Sequence, residues 1–470
     1  MRSPSPLVDR ILCHAEREPT GCAVASRTVL WTYAELSERV LDHASTLGRT
    51  GVDRSSVLGI ACADDIEHLL LCLAAAHLGA TTLTVPTFEP AQQRRRLMEK
   101  AGVQRVVGGP DVWEDVHVPG ERDASPVPGA PAGPKFLFAT SGTTGEPKVV
   151  CHLDAGLVDQ APRHVGAKER FACLATMEHN FAKRHRLYCA SQGATNVFLD
   201  AALPTLVEAC KDLELTTLHL TAFQAQELLA APGVGDLRSL RLKLGGSHVP
   251  SALREELRAC VTSSLQCGYG TTETGAISFT EASDHGPGES VGTALPGIEI
   301  KVADAEGAKA TPGERGEVQI RCKGMFLGYV GDPERTAQRL HGEWFHTGDI
   351  GHLDADGRLH LGGRSDDMFV FNTINIYPQE LEAQIRQHPS VLDAAVVPHA
   401  SPVHGDVPVA LVVAGGGASL DMRALKAFVR ERTGVRCPRR FTVVDQIPRN
   451  ESGKILRAKA LALLEPPTAR

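Results

Sequence analysis

Apolar and polar positions alternate in two rhythms along the first third of the chain. Apolar residues at helical spacing follow Thr32, which forms a capping-box pattern with Glu35, and Gly48 is placed to end this helix. Shorter apolar runs between such helices have the length of buried strands. The pattern predicts helices over 33–47 and 66–78 and strands over 57–62 and 80–85. Strands that alternate with helices indicate a parallel sheet covered by helices on its faces.

The pattern changes further along the chain. Helix–strand alternation continues to about residue 300, interrupted by a Pro-, Gly- and Ala-rich loop at 121–134, and short β segments broken by Gly and Asp fill 313–360. After Gly363-Arg364-Ser365-Asp366 a compact run follows. It predicts strands over 368–371, 394–397, 409–413 and 441–444, helices over 378–387 and 420–432, and a last helix from about 453. We therefore expect an α/β fold with layered sheets and flanking helices in residues 1–365, and a small α+β domain in residues 366–470.

Composition and charge argue against several classes of protein. The chain has 470 residues, which is too long for a single hydrophobic core of ordinary size, so two or more domains are expected. Its 42% apolar and 22% charged residues are normal for a globular protein, and its formal net charge is -7. No long basic block suggests a nucleic-acid partner, and no apolar run reaches the roughly 20 residues of a membrane span. The N-terminus lacks a secretory-signal pattern, and twelve scattered cysteines without CxxC pairs do not suggest a disulfide framework. We expect a cytoplasmic protein, monomer or homodimer, that binds neither nucleic acid nor membrane.

The strongest candidate for chemistry is the string from Phe138 to Lys148. Small and hydroxyl-bearing residues follow a predicted strand, so their N–H and O–H groups can wrap phosphate oxygens, and Lys148 adds a cation. The GxxxxGK[ST] spacing of a Walker A loop is absent, and an ordinary Gly/Thr surface turn is the alternative interpretation. The candidate phosphate contacts are Thr140, Ser141, Gly142, Thr143, Thr144, Gly145 and Lys148.

A second string runs from Gly268 to Gly275 and fails as a GxGxxG fingerprint, because Glu273 occupies the third glycine position. It offers the Tyr269 ring to stack on a base, the Thr272 hydroxyl for phosphate and the Glu273 carboxylate for Mg²⁺. Taken alone, such a string could equally be a loop.

Two shorter strings carry weaker signals. Asp349 follows Gly348 and could accept hydrogen bonds from both hydroxyls of a ribose, although Gly-Asp is also common in turns. Lys454 closes the string Pro-Arg-Asn-Glu-Ser-Gly-Lys, and a lone lysine near a helix start is usually solvated. Both residues become candidates only because the other two strings occur in the same chain.

Together and in this order, the four strings resemble the ANL superfamily, which includes acyl-CoA synthetases, adenylation domains of peptide synthetases, and luciferases. The resemblance covers about residues 30–460. It implies that the chain uses ATP and Mg²⁺ to activate a small carboxylic acid as acyl-AMP, with release of pyrophosphate. It also implies transfer of the acyl group to the thiol of CoA or of a carrier-protein phosphopantetheine, which makes the chain an acid–thiol ligase. The C-terminal domain would be a mobile lid that carries the catalytic lysine.

The resemblance also implies a role for individual residues. The loop that ends at Lys148 would hold the β- and γ-phosphates, and Tyr269 would lie against adenine. Lys454, Thr272 and Glu273 would be catalytic, with Glu273 as the Mg²⁺ ligand. Asp366 would be the hinge of the mobile domain. The remaining implied contacts to ATP or AMP are Gly245, Gly246, Ser247, Gly270, Asp349 and Arg364.

The acid is less well defined by the sequence. His179 and Asn180 resemble the His-Asn pair of aryl-acid adenylating enzymes, in which the amide meets an ortho hydroxyl of a benzoate. A substituted aromatic acid is therefore implied, with His179, Asn180 and Ser247 as its contacts. The alternative is that His179 packs as a gate and Asn180 caps a turn.

The run Lys183-Arg184-His185-Arg186 departs from the aryl-acid pattern. A charge run is usually a solvated face, and that is our expectation here. The alternative is a contact with an extra carboxylate on the acid, or with phosphates of the incoming thiol carrier.

A second departure concerns the acceptor. Thr373 stands where phenylacetate-type CoA ligases usually have Gly, and Val370 where many relatives have Lys. A Cβ at the glycine position could narrow the pantetheine tunnel. Transfer of the adenylate to an amine or another nucleophile therefore stays open, and so does a non-catalytic nucleotide-binding relative, against which the combined presence of Lys148, Glu273 and Lys454 argues.

Overall fold

A computed structural model describes most of the chain. The described residues are 3–108, 113–115, 127–140, 148–163, 165–199, 203–246, 248–281, 290–304, 306–371, 374–401, 405–415, 420–450 and 453–464. Their helices are α1 (Pro6–Arg17), α2 (Tyr33–Arg49), α3 (Asp65–His77), α4 (Ala91–Ala101), α5 (Asp154–Gln160), α6 (Asn180–Gln192), α7 (Leu203–Asp212), α8 (Ala222–Leu229), α9 (Ser251–Cys260), α10 (Pro333–Arg339), α11 (Pro378–Arg386), α12 (Met422–Thr433) and α13 (Arg457–Ala462). None of these helices is long and apolar enough to cross a membrane.

The strands of the described residues are numbered in chain order. The first fourteen are β1 (Cys22–Ala25), β2 (Leu30–Thr32), β3 (Val57–Ile60), β4 (Thr81–Thr84), β5 (Arg105–Val107), β6 (Trp113–Asp115), β7 (Lys135–Thr140), β8 (Lys148–Leu153), β9 (Arg170–Cys173), β10 (Thr195–Val197), β11 (Thr217–Leu220), β12 (Arg241–Leu244), β13 (Leu265–Thr271) and β14 (Gly275–Phe279). The others are β15 (Thr293–Ala294), β16 (Ile298–Ala303), β17 (Gly316–Cys322), β18 (Gly328–Tyr329), β19 (Leu340–His341), β20 (Trp344–Leu353), β21 (Leu359–Arg364), β22 (Phe369–Phe371), β23 (Ile374–Ile376), β24 (Val391–Ser401), β25 (Gly405–Ala414) and β26 (Arg440–Val443).

Two large sheets form the first part of the fold. One has nine strands in the order β15-β14-β13-β12-β11-β9-β10-β1-β2, and the other has seven in the order β18-β8-β7-β4-β3-β5-β6. The central strands of both sheets pair in parallel, whereas the outer pairs are antiparallel. Helices α1, α2, α3 and α6 contribute side chains to one continuous core. The predicted α/β class is therefore confirmed.

A smaller antiparallel sheet follows, with the order β16-β17-β20-β19 and with β21 paired to β20. The last five strands form a separate sheet, in which β26 pairs in parallel with β25 and the other pairs are antiparallel. Helices α11 and α12 pack on this sheet around a core of their own. The α+β character predicted for the C-terminal residues is thus observed. The position of the boundary at 365–366 stays a proposal.

Local signals in the sequence predicted some elements better than others. The capping box of Thr32 and Glu35 is confirmed, but α2 continues beyond Gly48 to Arg49. The left-handed backbone that follows the helix is supplied by Gly51, with φ of +85°. The last helix begins at Arg457 and not near 453, because the preceding residues form a tight turn. The predicted loop at 121–134 lies partly outside the described residues.

Candidate active site

Three predicted nucleotide contacts form one hydrogen-bonded network. Asp349 on β20 and Arg364 at the end of β21 lie opposite each other in the antiparallel pair. The Arg364 guanidinium donates to Asp349 Oδ1 at 3.1 Å and to the Thr347 carbonyl at 2.9 Å. The Tyr269 hydroxyl, from β13, donates to the second carboxylate oxygen. An aromatic ring and an oriented carboxylate therefore lie side by side, as recognition of a base and a ribose would require.

Glu273 is oriented by a tyrosine that the sequence did not single out. It lies in the turn between β13 and β14, where the Tyr329 hydroxyl donates to Glu273 Oε1 at 2.7 Å. The Phe326 N–H donates to the Glu273 carbonyl at 2.8 Å. The side-chain carboxylate and the backbone carbonyl of Glu273 are therefore both hydrogen-bonded to the segment that contains β18.

The neighbouring Thr272 is held through its carbonyl oxygen. Arg184 Nη2 of α6 donates to this oxygen at 2.5 Å, and His152 Nε2 of β8 lies 2.7 Å from it. Burial and the charge of Arg184 lower the pKa of His152 well below its ordinary value, so the ring is neutral. The Arg184 guanidinium also lies over the Phe138 ring, 4.6 Å from its centroid. The turn that bears Thr272 and Glu273 is thus anchored to both large sheets and to α6.

Positive charge accumulates beside Lys148, the first residue of β8. Burial and the nearby Arg335 lower the pKa of Lys148, with smaller contributions from Arg339 and Arg364, while Glu273 opposes the shift. The three arginines are therefore within electrostatic range of Lys148. Such a concentration of positive charge attracts a polyphosphate.

The predicted hinge residue is tied to its surroundings by two guanidinium groups. Asp366 lies in a short 3₁₀ turn after β21, where Arg364 and Arg339 each donate to its Oδ2 at 3.1 Å. The Asp366 carboxylate is therefore paired with two of the arginines that lie within electrostatic range of Lys148.

Two predicted glycines have a geometric reason to lack a side chain. A Cβ at Gly270 would lie 2.6 Å from the Gly275 carbonyl oxygen and 2.9 Å from Ala276 Cα. Gly246 adopts a φ of +83°, which other residues rarely adopt. Both positions therefore require glycine for the local backbone path.

Near the end of the described chain, a tight turn closed by the Gly453 N–H and the Asn450 carbonyl leads directly into Lys454. Its N–H donates to Asn450 Oδ1 at 2.8 Å, and Arg449 Nη1 donates to the Gly453 carbonyl at 2.6 Å. Arg449 is in turn bound to the Asp393 carboxylate at 2.8 Å. The Lys454 side chain is exposed. The lysine is thus presented to solvent by a turn whose backbone is fixed.

Charged groups connect the C-terminal residues with earlier segments of the chain. His248, four residues after the end of β12, is within electrostatic range of Arg386 and of Arg449. Glu380 of α11 accepts hydrogen bonds from Arg315 and from Arg436, the latter at 3.2 Å. The C-terminal residues therefore contact the segment before β17 through Glu380, and Arg449 lies within electrostatic range of the segment after β12.

The acid contacts predicted from the sequence have defined positions. His179 caps the N-terminus of α6 and packs edge-on against Phe88, with 5.4 Å between ring centroids. Asn180 Nδ2 donates to the Ala139 carbonyl, so one of the two N–H groups of its amide is used within the fold. Thr140 ends β7 and lies opposite Lys148 in the antiparallel pair with β8. The predicted site residues outside the described ranges are Ser141, Gly142, Thr143, Thr144, Gly145 and Ser247.

The expectation that residues 183–186 form a solvated face is wrong. Lys183, Arg184, His185 and Arg186 are at most 5% exposed. Carbonyl oxygens and aromatic faces replace water around them, since Lys183 Nζ lies 3.4 Å from the Leu137 carbonyl and Arg186 Nη1 donates to the Val197 carbonyl at 2.6 Å. The same burial excludes the alternative of a direct contact with carrier phosphates.

Comparison with known families identifies the chain. The family model described as AMP-binding enzyme matches residues 13–330, and the model described as AMP-binding enzyme C-terminal domain matches residues 380–454. The chain belongs to the AMP-binding enzymes. The ANL superfamily predicted from the four strings is confirmed, and with it adenylate-forming activation as the general chemistry.

Similar proteins share this architecture over nearly their whole length. The fatty acid–[acyl-carrier-protein] ligase ScoC of Streptomyces coeruleorubidus is 31% identical, over 96% of this chain and 95% of its own. A feruloyl-CoA synthase of an Amycolatopsis species is 30% identical, over 95% of this chain and 96% of its own. The structure of the amide bond synthetase McbA from Marinactinospora thermotolerans is 26% identical with a TM-score of 0.81, covering 98% of this chain and 99% of that one. These AMP-binding enzymes differ in the acceptor that their names give.

Proposed function

We propose that this AMP-binding enzyme activates a substituted aromatic carboxylic acid as its acyl adenylate and then transfers the acyl group to a thiol, that of CoA or of a carrier-protein phosphopantetheine. The observation that carries the proposal is the convergence of Lys148, Arg335, Arg339 and Arg364 beside the fixed Glu273 carboxylate. A cationic pocket of this kind suits a triphosphate that must lose pyrophosphate.

The first step forms a bond between a carboxylate oxygen of the acid and the α-phosphorus of ATP. The bond from that phosphorus to pyrophosphate breaks, and pyrophosphate leaves with its electron pair. Negative charge grows on the phosphate oxygens during the exchange. Cations that are already in place stabilise this charge without reorganisation, and Lys148 is one such cation.

Lys454 supplies a second cation in the proposal. Its exposed side chain stands on a turn held by Arg449, and the same Arg449 is within electrostatic range of His248. The ammonium would bridge the attacking carboxylate and the ribose-phosphate oxygens. In the second step a thiolate attacks the acyl carbon, the carbon–oxygen bond to AMP breaks, and AMP leaves.

The residues present also suit Mg²⁺. Among the described residues, no three His, Cys, Asp or Glu side chains come together as metal ligands. Mg²⁺ in nucleotide sites is typically bound by one or two carboxylates, phosphate oxygens and water, so a single oriented carboxylate fits. Glu273 would hold the ion, which would neutralise phosphate charge when bound.

An aromatic acid is supported by the walls next to the predicted acid contacts. Phe181 follows Asn180 on α6, and its ring lies 4.1 Å from the centroids of both His185 and His219. Flat rings on several sides favour a flat ligand. The Asn180 amide oxygen could still contact an ortho substituent.

A second candidate acceptor is an amine. It is favoured by one observation, the likeness to an amide bond synthetase over 98% of the chain at 26% identity. An amine would attack the same acyl carbon and displace AMP, with its proton passing to solvent. The position of Thr373, which bears on the thiol tunnel, lies outside the described residues.

The test is acid-dependent release of pyrophosphate with a panel of benzoates and cinnamates, each with CoA, a phosphopantetheine-loaded carrier protein or a simple amine. The proposal expects pyrophosphate with aromatic acids and a thioester as the final product. An amide as the main product would show that the acceptor is an amine and not a thiol. Absence of pyrophosphate with every acid would contradict the proposal and favour a non-catalytic nucleotide-binding protein.

A further inference from the structure

A buried histidine lies between the predicted nucleotide contacts and the predicted acid contacts. His219 is on β11, is 4% exposed, and lies in register with Lys243 of β12. Neither of its ring nitrogens has a hydrogen-bond partner among the described residues. Buried polar atoms of folded proteins are nearly always hydrogen-bonded. Both ring nitrogens of His219 therefore have hydrogen-bonding capacity that the described residues leave unused.

The ring of His219 faces elements assigned to both substrates. Phe181, next to Asn180, packs edge-on against it with 4.1 Å between centroids. On another side, a Cβ at Gly245 would lie 3.2 Å from His219 Nε2 and 3.7 Å from the Gly268 carbonyl oxygen. Because Gly245 has no side chain, Nε2 adjoins the backbone that leads to the predicted adenine contacts. The unpartnered imidazole thus lies between the neighbour of a predicted acid contact and a backbone segment that is predicted to contact the nucleotide.

The charge state of the ring limits what it can bind. Burial, together with nearby His185 and Lys243, lowers the pKa of His219 well below its ordinary value, so the imidazole is neutral. A neutral imidazole offers one N–H donor and one nitrogen acceptor. A hydroxyl or amino group can pair with either nitrogen, whereas a plain hydrocarbon ring or chain leaves both unpaired.

Neighbouring polar side chains are less suited to this task. The Asn180 amide nitrogen is bound to the Ala139 carbonyl. His185 Nδ1 is bound to the Phe181 carbonyl at 2.9 Å, and its ring stacks on Phe171 with an interplanar angle of 9°. Of these three side chains, His219 is the one in which no polar atom is hydrogen-bonded to another described residue.

We propose that His219 determines the specificity of the acid pocket, and that it selects an aromatic acid bearing a neutral hydrogen-bonding substituent, a hydroxyl or an amino group, over the unsubstituted acid. The inference rests on the proposed function and names the substrate class for that site. The partner of the imidazole is a ligand atom, and the substituent it recognises lies on the ring or chain of the acid, apart from the reacting carboxylate.

The test compares matched pairs of acids in acid-dependent ATP–pyrophosphate exchange. The pairs are benzoate with its 3- and 4-hydroxy and amino derivatives, and cinnamate with 4-hydroxycinnamate. The wild-type enzyme is expected to favour one substituted acid over its parent by about 10-fold or more in kcat/KM, as for a site that loses a hydrogen bond. His219→Phe should reduce that ratio to about 1 by lowering kcat/KM for the substituted acid, and His219→Gln, which retains a donor and an acceptor, should keep a clear preference.

Controls separate this inference from the function on which it rests. His388→Phe makes the same chemical change at an imidazole that follows α11 and packs on Phe428 of α12, and it should leave the ratio unchanged. ATP affinity and Tm report whether each variant folds, and His219→Ala carries the comparison if the Phe variant does not. A ratio near 1 in the wild type, or a ratio unaffected by loss of the imidazole, overturns the inference while the ligase function stands. No exchange with any acid overturns both.

Discussion

The Tyr269 hydroxyl donates a hydrogen bond to the Asp349 carboxylate and joins the nine-stranded sheet to the smaller antiparallel sheet. Arg364 binds the other oxygen of the same carboxylate at 3.1 Å. The carboxylate is thus fixed by two donors before any nucleotide arrives. If this carboxylate accepts hydrogen bonds from the ribose hydroxyls, as we propose, the fold already holds it in one orientation and binding need not order it.

Replacement of this carboxylate should weaken nucleotide binding. Asp349→Asn retains the shape but loses the charge and one acceptor, so we expect the Kd for ATP to rise about 10-fold or more, in line with hydrogen bonds to charged groups. Titration calorimetry with ATP measures the effect. Asp356→Asn, in the exposed turn between β20 and β21, is the matched control and should bind ATP normally. An unchanged Kd for Asp349→Asn would remove the ribose role.

Arg184 should act as a positioning residue through the Thr272 carbonyl. Arg184→Met keeps the buried stem but removes the donor, so we expect kcat for adenylation to fall roughly 10-fold or more with a smaller change in KM for ATP, because misplacement affects the transition state. Arg184→Lys should recover part of the loss.

The neighbouring Arg186 provides the comparison for this prediction. It is equally buried, but it donates to the Val197 carbonyl on another strand. Arg186→Met should therefore cost stability in a Tm measurement without the selective loss of kcat. If both variants lose kcat to the same extent, the effect of Arg184 is one of folding alone.

Glu273 should determine the requirement for Mg²⁺. Glu273→Gln removes the charge while keeping the contact from Tyr329, so half-maximal pyrophosphate release should need about 10-fold more Mg²⁺. Tyr329→Phe should retain the carboxylate and shift the Mg²⁺ requirement less. The measurement is a titration of Mg²⁺ at saturating ATP. An identical curve for wild type and Glu273→Gln would assign the ion to other ligands.

Asp154 should make the folded state less stable as pH rises. It is fully buried, its Oδ2 accepts from Ser5 Oγ at 2.6 Å, and burial raises its pKa to about 6. Between the unfolded value and about 6 the folded state binds the proton more tightly, so stability present at low pH is lost as pH rises. Asp154→Asn cannot ionise. Its stability relative to wild type should therefore increase by about 2 kcal/mol between about pH 4.5 and about pH 7.

The measurement for Asp154 is the free energy of unfolding in denaturant at both pH values. Asp159→Asn, on the exposed side of the same helix, should show no such dependence. A constant difference between wild type and Asp154→Asn across the range would mean that the carboxyl group does not titrate in this window.

The chemistry that the sequence revealed is carried by contiguous strings. Tyr269 and Glu273 are four residues apart, so their association could be predicted before the fold was known. The groups that orient them are distant in sequence: Arg184 is 88 residues from Thr272, and Tyr329 is 56 residues from Glu273. No local pattern marks such partners, because tertiary packing alone brings them together.

The basic run on α6 is a second case in which a local sequence pattern did not reveal the tertiary surroundings of the residues. Because these residues are charged, they were predicted to be exposed to solvent. Inside the protein, however, backbone carbonyl groups of neighbouring strands and the rings of Phe138 and Phe198 surround them. His219 gave no signal because a single histidine in an apolar strand is an ordinary core residue. Its missing hydrogen-bond partner became visible only when the surrounding side chains were in place.

We propose above all that a lysine of the C-terminal residues completes an adenylation site built by the large sheets. Acid-dependent ATP–pyrophosphate exchange by Lys454→Ala tests it most directly, with Lys459→Ala, an exposed lysine of α13, as the matched control. The account predicts a loss of roughly 100-fold or more in exchange, from removal of a transition-state cation, with ATP affinity nearly unchanged and the control fully active. Normal exchange by Lys454→Ala would contradict it.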